Sequence, residues 1–270
     1  MAKNDLSPIK ITSEKYQLNH KQIKIFTTLA NELRNIEEKS KHVDQIIARG
    51  GFIIDTLLSV EPSDIDLFYS LKGNIIDCKC NEIKKEVESL HLPLLSQRKV
   101  DLGHVLENEI FFPPVEKVVG PFSHHIDIPS MVCLDSRTNL WTNNLALTCL
   151  KEKAYEIRPF ALLMHHKFPY SPENPYYLNF YTSYSRLMVR GLKMIHKKGY
   201  KKFGSNFLFF LENWPSVLEV VKSSDELTQA IQNYIIEKCP GMKFTDFKKA
   251  IITTKSNNNH KIINSIKFLF

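Results

Sequence analysis

Long uncharged apolar runs are missing from this chain of 270 residues. No stretch approaches the roughly 18 apolar residues of a membrane-spanning helix, so no helical span is expected. The opening MAKNDLSPIK carries charge and no apolar segment, so no secretory signal is expected either. Cysteine is sparse: Cys78, Cys80, Cys133, Cys149 and Cys239 form an odd, scattered set without C-x-x-C spacing. That suits reduced thiols in a cytoplasm better than a disulfide framework. His124 and His125 adjoin, but no Cys/His spacing supports a zinc site. Internal repeats and long linkers are absent, and the one low-complexity tract is Asn257-Asn258-Asn259.

What is present is ordinary for a globular protein: 43% hydrophobic and 24% charged residues, enough to build an apolar core and to exclude wholesale disorder. The net charge of +7 is unevenly spread. Residues 1–150 hold 17 Lys+Arg against 20 Asp+Glu, a balance of −3, and residues 151–270 hold 19 against 9, a balance of +10. A solvated lysine-rich surface would account for the second half, and so would a face that attracts polyanions such as RNA.

Apolar spacing predicts a helix over about 12–40, an apolar run over 43–48 cut by Gly50-Gly51, a short helix over 52–60 closed by Pro62, and a strand over 64–70. A helix is predicted over 80–91, strands over 115–119 and 122–128, and a hairpin joining 143–150 to 154–157. Beyond Pro159 and the proline-rich 169–175, helical patterns dominate, at about 176–198, 205–222, 225–238 and 244–254. The expected layout is an α/β (α+β) mixed-sheet domain over 1–158, followed by a helical, basic domain over 159–270.

The segment from Arg49 to Tyr69, RGGFIIDTLLSVEPSDIDLFY, carries the chemistry. Alternate residues of a strand share a face, so Asp64 and Asp66 are expected to project the same way. Two adjacent carboxylates repel unless a cation lies between them, and Mg²⁺ commonly takes one or two carboxylates plus phosphate oxygens. Gly50-Gly51 allows a sharp turn and a close backbone approach to a ligand. The helix that follows would aim its amide groups and positive dipole end at the same place, a seat for phosphate. The combination suits a nucleoside triphosphate with Mg²⁺, or Mn²⁺ in its stead.

Gly-Gly, three residues, Asp55, then Leu57-Leu58 and Asp64-x-Asp66, with Asp64 thirteen positions after Gly51, resembles a known signature. It is that of the head domain of tRNA CCA-adding nucleotidyltransferases and bacterial poly(A) polymerases, within the polymerase-β-like nucleotidyltransferase superfamily. The resemblance covers 43–70 well, 122–147 less closely and 176–203 faintly. It implies a metal-dependent transfer of a nucleotide from NTP to an acceptor hydroxyl, with two ions and RNA, such as a tRNA 3′ end, as acceptor; superfamily members also modify proteins and small molecules. It implies a third carboxylate on a later strand, for which FSHHIDIPS offers Asp127, with Asp101 and Asp135 as alternatives. Trp141, Thr142 and Asn144 match the aromatic, Thr and Asn of a motif that touches nucleotide and ribose. Thr138, Asn139 and Leu140 stand where that motif has Arg-Arg-Asp, which leaves Arg137 as a candidate to compensate, and Ile54 stands where an arginine is common. The missing arginines also motivate the alternative of a non-catalytic nucleotide- or partner-binding module.

In the 176–198 helix, Arg186, Arg190, Lys193 and Lys197 fall within a stripe about 60° wide, opposite Tyr181, Tyr184, Met188, Leu192 and Ile195. The apolar stripe is expected to face a core. The basic stripe, continued by Lys198, Lys201 and Lys202, is a candidate polyanion contact. Arg190 through Gly199-Tyr200 resembles the arginine-rich neck helix that follows the family's head domain.

Overall fold

The computed structural model describes residues 8–62, 64–72, 80–104, 127–157, 177–222 and 225–253, together with Lys267. The chain divides into two compact units, Met1–Leu150 and Lys151–Phe270.

The first unit is an α+β arrangement on a six-stranded mixed sheet. Its strands are β1 (Ile9–Lys10), β2 (Val43–Arg49), β3 (Asp64–Leu71), β4 (Lys99–His104), β5 (Cys133–Asp135) and β6 (Leu140–Thr142). Their order across the sheet is β1-β6-β5-β2-β3-β4. All neighbours run antiparallel except β3 and β4, which are parallel. The helices are α1 (His20–Lys39), α2 (Gly51–Leu57), α3 (Cys80–Ser89) and α4 (Asn144–Glu152).

Helix α1 starts later than the apolar spacing predicts because a capping box fixes its first turn. The Asn19 side chain accepts from the Gln22 amide, and the Gln22 side chain accepts from the Asn19 amide. Leu29, Leu33 and Ile36 bury one face of α1, which packs on β2 and β5. On β3 the alternation is regular: Ile65, Leu67 and Tyr69 are fully buried, and Asp64, Asp66 and Phe68 lie partly open on the other face. Register therefore decides which side chains meet on the open face, since a slip of one residue would exchange the two sets.

Two expectations change. The segment 143–150 is helical, not half of a hairpin, because the Asn143 side chain accepts from the Ala146 amide and starts α4 there. Its expected partner, β7 (Ala154–Tyr155), pairs in parallel with β8 (Lys202–Phe203) in the second unit. The strand expected at 115–119 lies outside the described residues, as does 122–126 of the strand expected at 122–128; its last two residues instead enter a 3-10 turn, Ile128–Ser130, which Asp127 caps.

The second unit contains α5 (Tyr177–Lys198), α6 (Ser205–Lys222), α7 (Asp225–Lys238) and α8 (Phe244–Thr253), close to the helices that the spacing predicts. Its core gathers on Phe207, whose ring stacks on Phe210 with centroids 5.4 Å apart and meets Tyr155 edge-on at 4.7 Å. Gly191 of α5 lets that ring approach: a Cβ there would lie 2.2 Å from Cζ of Phe207. The carboxylate of Glu156 accepts from the backbone amides of Asn206 and Phe207 at the start of α6. No helix among the described residues is long and apolar enough to cross a membrane.

Candidate metal and nucleotide site

Strand pairing sets a row of residues across the sheet of the first unit. Asp101 of β4 pairs with Asp66 of β3, which pairs with Arg49 of β2; Arg49 pairs with Cys133 of β5, and Cys133 with Trp141 of β6. Directly paired residues share a face, and Asp64 stands two residues from Asp66 on that same face. The result is an acidic cluster at one end of the row: oxygens of Asp64, Asp66 and Asp101 all lie within 4.8 Å of one another. Asp64 and Asp66 are partly buried and Asp101 is exposed.

The cluster has electrostatic consequences visible in its neighbour. Lys99, beside Asp64 in the parallel register, places Nζ 3.0 Å from Oδ2 of Asp101. The pKa of Lys99 is raised, first by the hydrogen bond to Asp101 and that residue's charge, then by the charges of Asp64 and Asp66. On the other side, the buried guanidinium of Arg49 rests 4.2 Å from the centroid of the Phe68 ring.

The diglycine bend closes against the same carboxylates. Gly50 has φ +65°, which favours glycine, and a Cβ there would lie 3.7 Å from Oδ2 of Asp66, so a longer side chain would crowd the carboxylate. The Gly50 amide donates to the Val132 carbonyl at 3.1 Å, and the first helical bond of α2 runs from the Ile54 amide to the Gly50 carbonyl. A Cβ at Gly51 would meet nothing within 4 Å, so this side of the bend is open. The far end of α2 is tied to α1: Gln22 Nε2 donates to the carbonyls of Thr56 and Leu57 at 3.0 and 2.9 Å. Asp55 is buried inside α2.

Three converging carboxylates are hard oxygen donors of the kind that Mg²⁺ and Mn²⁺ accept. Octahedral Mg²⁺ at about 2.1 Å from its ligands holds opposite oxygens about 4.2 Å apart. Small side-chain rotations from the present spacing would reach that geometry, so the residues fit a divalent ion.

The other residues named from the sequence are placed differently. Asp127 is 1% exposed, accepts from the Ser130 hydroxyl, and opens a short 3-10 turn, Ile128–Ser130. That turn leads into Val132, whose carbonyl receives Gly50. Asp135 is also buried and holds the β5–β6 turn together, accepting from the amides of Arg137 and Asn139 and from Nε1 of Trp141. Arg137 is exposed on that turn. The register pairs Ile47 with Asp135 and Arg49 with Cys133, so the turn lies toward the Val43 end of β2, away from Gly50. Thr142 is fully buried and donates to the Met131 carbonyl at 2.9 Å, whereas Asn144 is exposed at the first position of α4.

In the second unit, Arg190 and Lys197 are exposed and Lys193 is partly so, while Met188 and Leu192 are buried. The side chains of Tyr181, Tyr184 and Arg186 lie outside the described residues. Sequence reasoning gave no role to Lys99 or Arg49, and it named Asp101 only as an alternative. The available signal was the alternation in Lys99-Val100-Asp101-Leu102, which places Lys99 and Asp101 on one face of a strand.

The mixed sheet, with paired aspartates beneath a diglycine bend, belongs to a fold like that of solved CCA-adding enzymes. No protein-family model matches the chain, and no curated protein matches its sequence. Among solved structures, a CCA-adding enzyme in complex with CTP is similar at a TM-score of 0.53 and 12% identity, over 91% of this chain and 54% of that one. A CCA-adding enzyme in its apo form is similar at 0.51 and 11% identity, over 97% of this chain and 54% of that one. At such identity the likeness is one of fold. The chain spans about half the length of the CCA-adding enzymes it matches.

Proposed function

We propose that this protein is a metal-dependent nucleotidyltransferase that moves a nucleoside monophosphate from an NTP to an acceptor hydroxyl and releases pyrophosphate. The observation that carries the reading is the convergence of Asp64, Asp66 and Asp101 on one face, with Gly50 against Asp66. Asp64 and Asp66 would hold a divalent ion on the triphosphate, and Asp101 would share the second ion on the side away from the glycines. Bound there, the ions supply charge neutralisation for the pyrophosphate that leaves and a lowered pKa for the acceptor hydroxyl.

The chain's own contribution is placement. The side-chain-free bend at Gly50-Gly51 admits the triphosphate close to the backbone, and the amides ahead of Ile54, which α2 itself does not use, offer donors to its oxygens. Strand register fixes the carboxylates before the substrate arrives, so little reorganisation is needed during transfer. Asp127, in this reading, acts on position: its turn holds Val132 where the Gly50 amide can reach it. Asn144 is a candidate ribose or base contact, and Thr142 supports it from within the core.

RNA is the favoured acceptor, because the half of the chain from 151 onward is strongly basic and exposes Arg190 and Lys197. The reading is tested by incubating the protein with each radiolabelled triphosphate, CTP and ATP included, together with Mg²⁺ and total RNA. Labelled RNA is the expected product. Labelled protein would redirect the reading to protein nucleotidylation. Absence of any label would favour a non-catalytic binding module, the alternative motivated by Thr138, Asn139 and Leu140 in place of arginines and an aspartate.

A further inference from the structure

The acidic cluster is unlike at its two ends. At Asp66 the neighbour is Gly50, which brings no side chain, and Arg49, whose guanidinium is buried over Phe68 and so fixed in place. At Asp101 the neighbour is Lys99, with Nζ 3.0 Å from Oδ2 and the two side chains 74% and 49% exposed. An ammonium at hydrogen-bond distance occupies space that a divalent ion on the same oxygen would need, and like charges so close repel. Lys99 can leave, because its stem is long, mobile and largely in solvent.

From this asymmetry we infer that Lys99 is a built-in counter-ion for the Asp101 side of the site. Its ammonium holds Asp101 while no ion is bound, yields that carboxylate to a divalent ion, and then serves a substrate phosphate as a cationic contact. The inference rests on the reading of the three aspartates as a divalent-ion site. An ion that takes Asp101 must displace this ammonium. Phosphate would favour the second ion by accepting the displaced ammonium, a point-charge donor suited to phosphate oxygens.

The test is a Mn²⁺ titration of the full chain, followed by the electron-paramagnetic-resonance signal of free ion, with no nucleotide present. Lys99→Met is expected to bind Mn²⁺ about three- to tenfold more tightly than wild type, as removal of one exposed charge at this distance implies. Lys99→Arg should behave as wild type. In an Asp101→Asn background the gain from Lys99→Met should vanish, which separates competition at Asp101 from a general charge effect. Inorganic pyrophosphate should tighten Mn²⁺ binding more in wild type than in Lys99→Met. Wild-type protein that binds Mn²⁺ while Lys99→Met binds it no better would overturn the inference and leave the metal reading standing. Wild type that binds no Mn²⁺ would overturn both.

Discussion

In the sheet unit, Asp64, Asp66 and Asp101 stand together because the pairing of β3 with β4 puts them on one face and in one row. In the helical unit, Arg190, Lys193 and Lys197 share a side of α5 because amphipathic spacing puts apolar Met188 and Leu192 on the other. The first arrangement brings like charges within a few ångströms and would cost stability without a cation nearby. The second spreads charge along a solvated surface at little cost. Register concentrates charge at one point of the sheet; helical periodicity distributes charge along a surface.

The comparison breaks most directly at Asp66. Asp66→Asn keeps the size of the side chain and removes one charge from the cluster. It is expected to reduce magnesium-dependent nucleotide transfer by roughly a thousandfold, with the thermal midpoint no lower than wild type. An unchanged rate with each triphosphate would mean that the acidic row is only a solvated strand face.

Gly191→Ala probes the other unit. The added methyl would lie 2.2 Å from Cζ of the fully buried Phe207 ring, which would have to shift. A loss of about 1–3 kcal/mol in urea unfolding is expected, the usual range for overpacking. The variant sharpens the comparison if Mn²⁺ binding stays at the wild-type level in native conditions, since the ion site then depends on sheet register alone.

Much of this organisation was legible beforehand. The helices from 176 onward follow from apolar spacing. Asp64 and Asp66 share a face because any strand of that sequence would put them there, and Gly50 sits beside Asp66 because its neighbour Arg49 pairs with Asp66 across β2 and β3. Asp101 was harder to assign, since it depends on which strand lies beside β3, a non-local choice that no local pattern encodes. Asp127 has strand-like neighbours in sequence, yet its carboxylate turns inward to the Ser130 hydroxyl. Thr142 and Asn144 carry similar local signals, and burial alone separates them: the first is inside the core and the second faces solvent. Arg137 lies close in sequence to Trp141, but the β5–β6 turn carries it away from the Gly50 end of β2.

Smaller effects refine the helical side. Arg190→Ala combined with Lys197→Ala is expected to leave stability within about 0.5 kcal/mol. If the stripe meets RNA phosphates, the double variant should flatten the dependence of log affinity on log salt by about 1 to 2. An unchanged slope would return the stripe to a solvated face.

The smallest effect concerns pH. Burial raises the pKa of Glu156, opposed by hydrogen bonds from the amides of Ile157, Phe207 and Asn206. A folded-state pKa above the unfolded value means that the folded protein takes up this proton first as pH falls. The contribution to stability is therefore full below the ordinary glutamate pKa and is lost as pH rises through the raised value. Glu156→Gln should flatten the thermal midpoint against pH across that window. A slope equal to wild type would place the titration elsewhere.

The central claim meets its most direct test in crystals grown with Mn²⁺ and a non-hydrolysable triphosphate, examined by anomalous scattering at the manganese edge. The account predicts a peak coordinated by Asp64 and Asp66, with Asp101 contacting it or a second peak beside it, and the triphosphate against Gly50-Gly51. Manganese and triphosphate bound away from these three carboxylates, or carboxylates that remain apart with both ligands present, would contradict it.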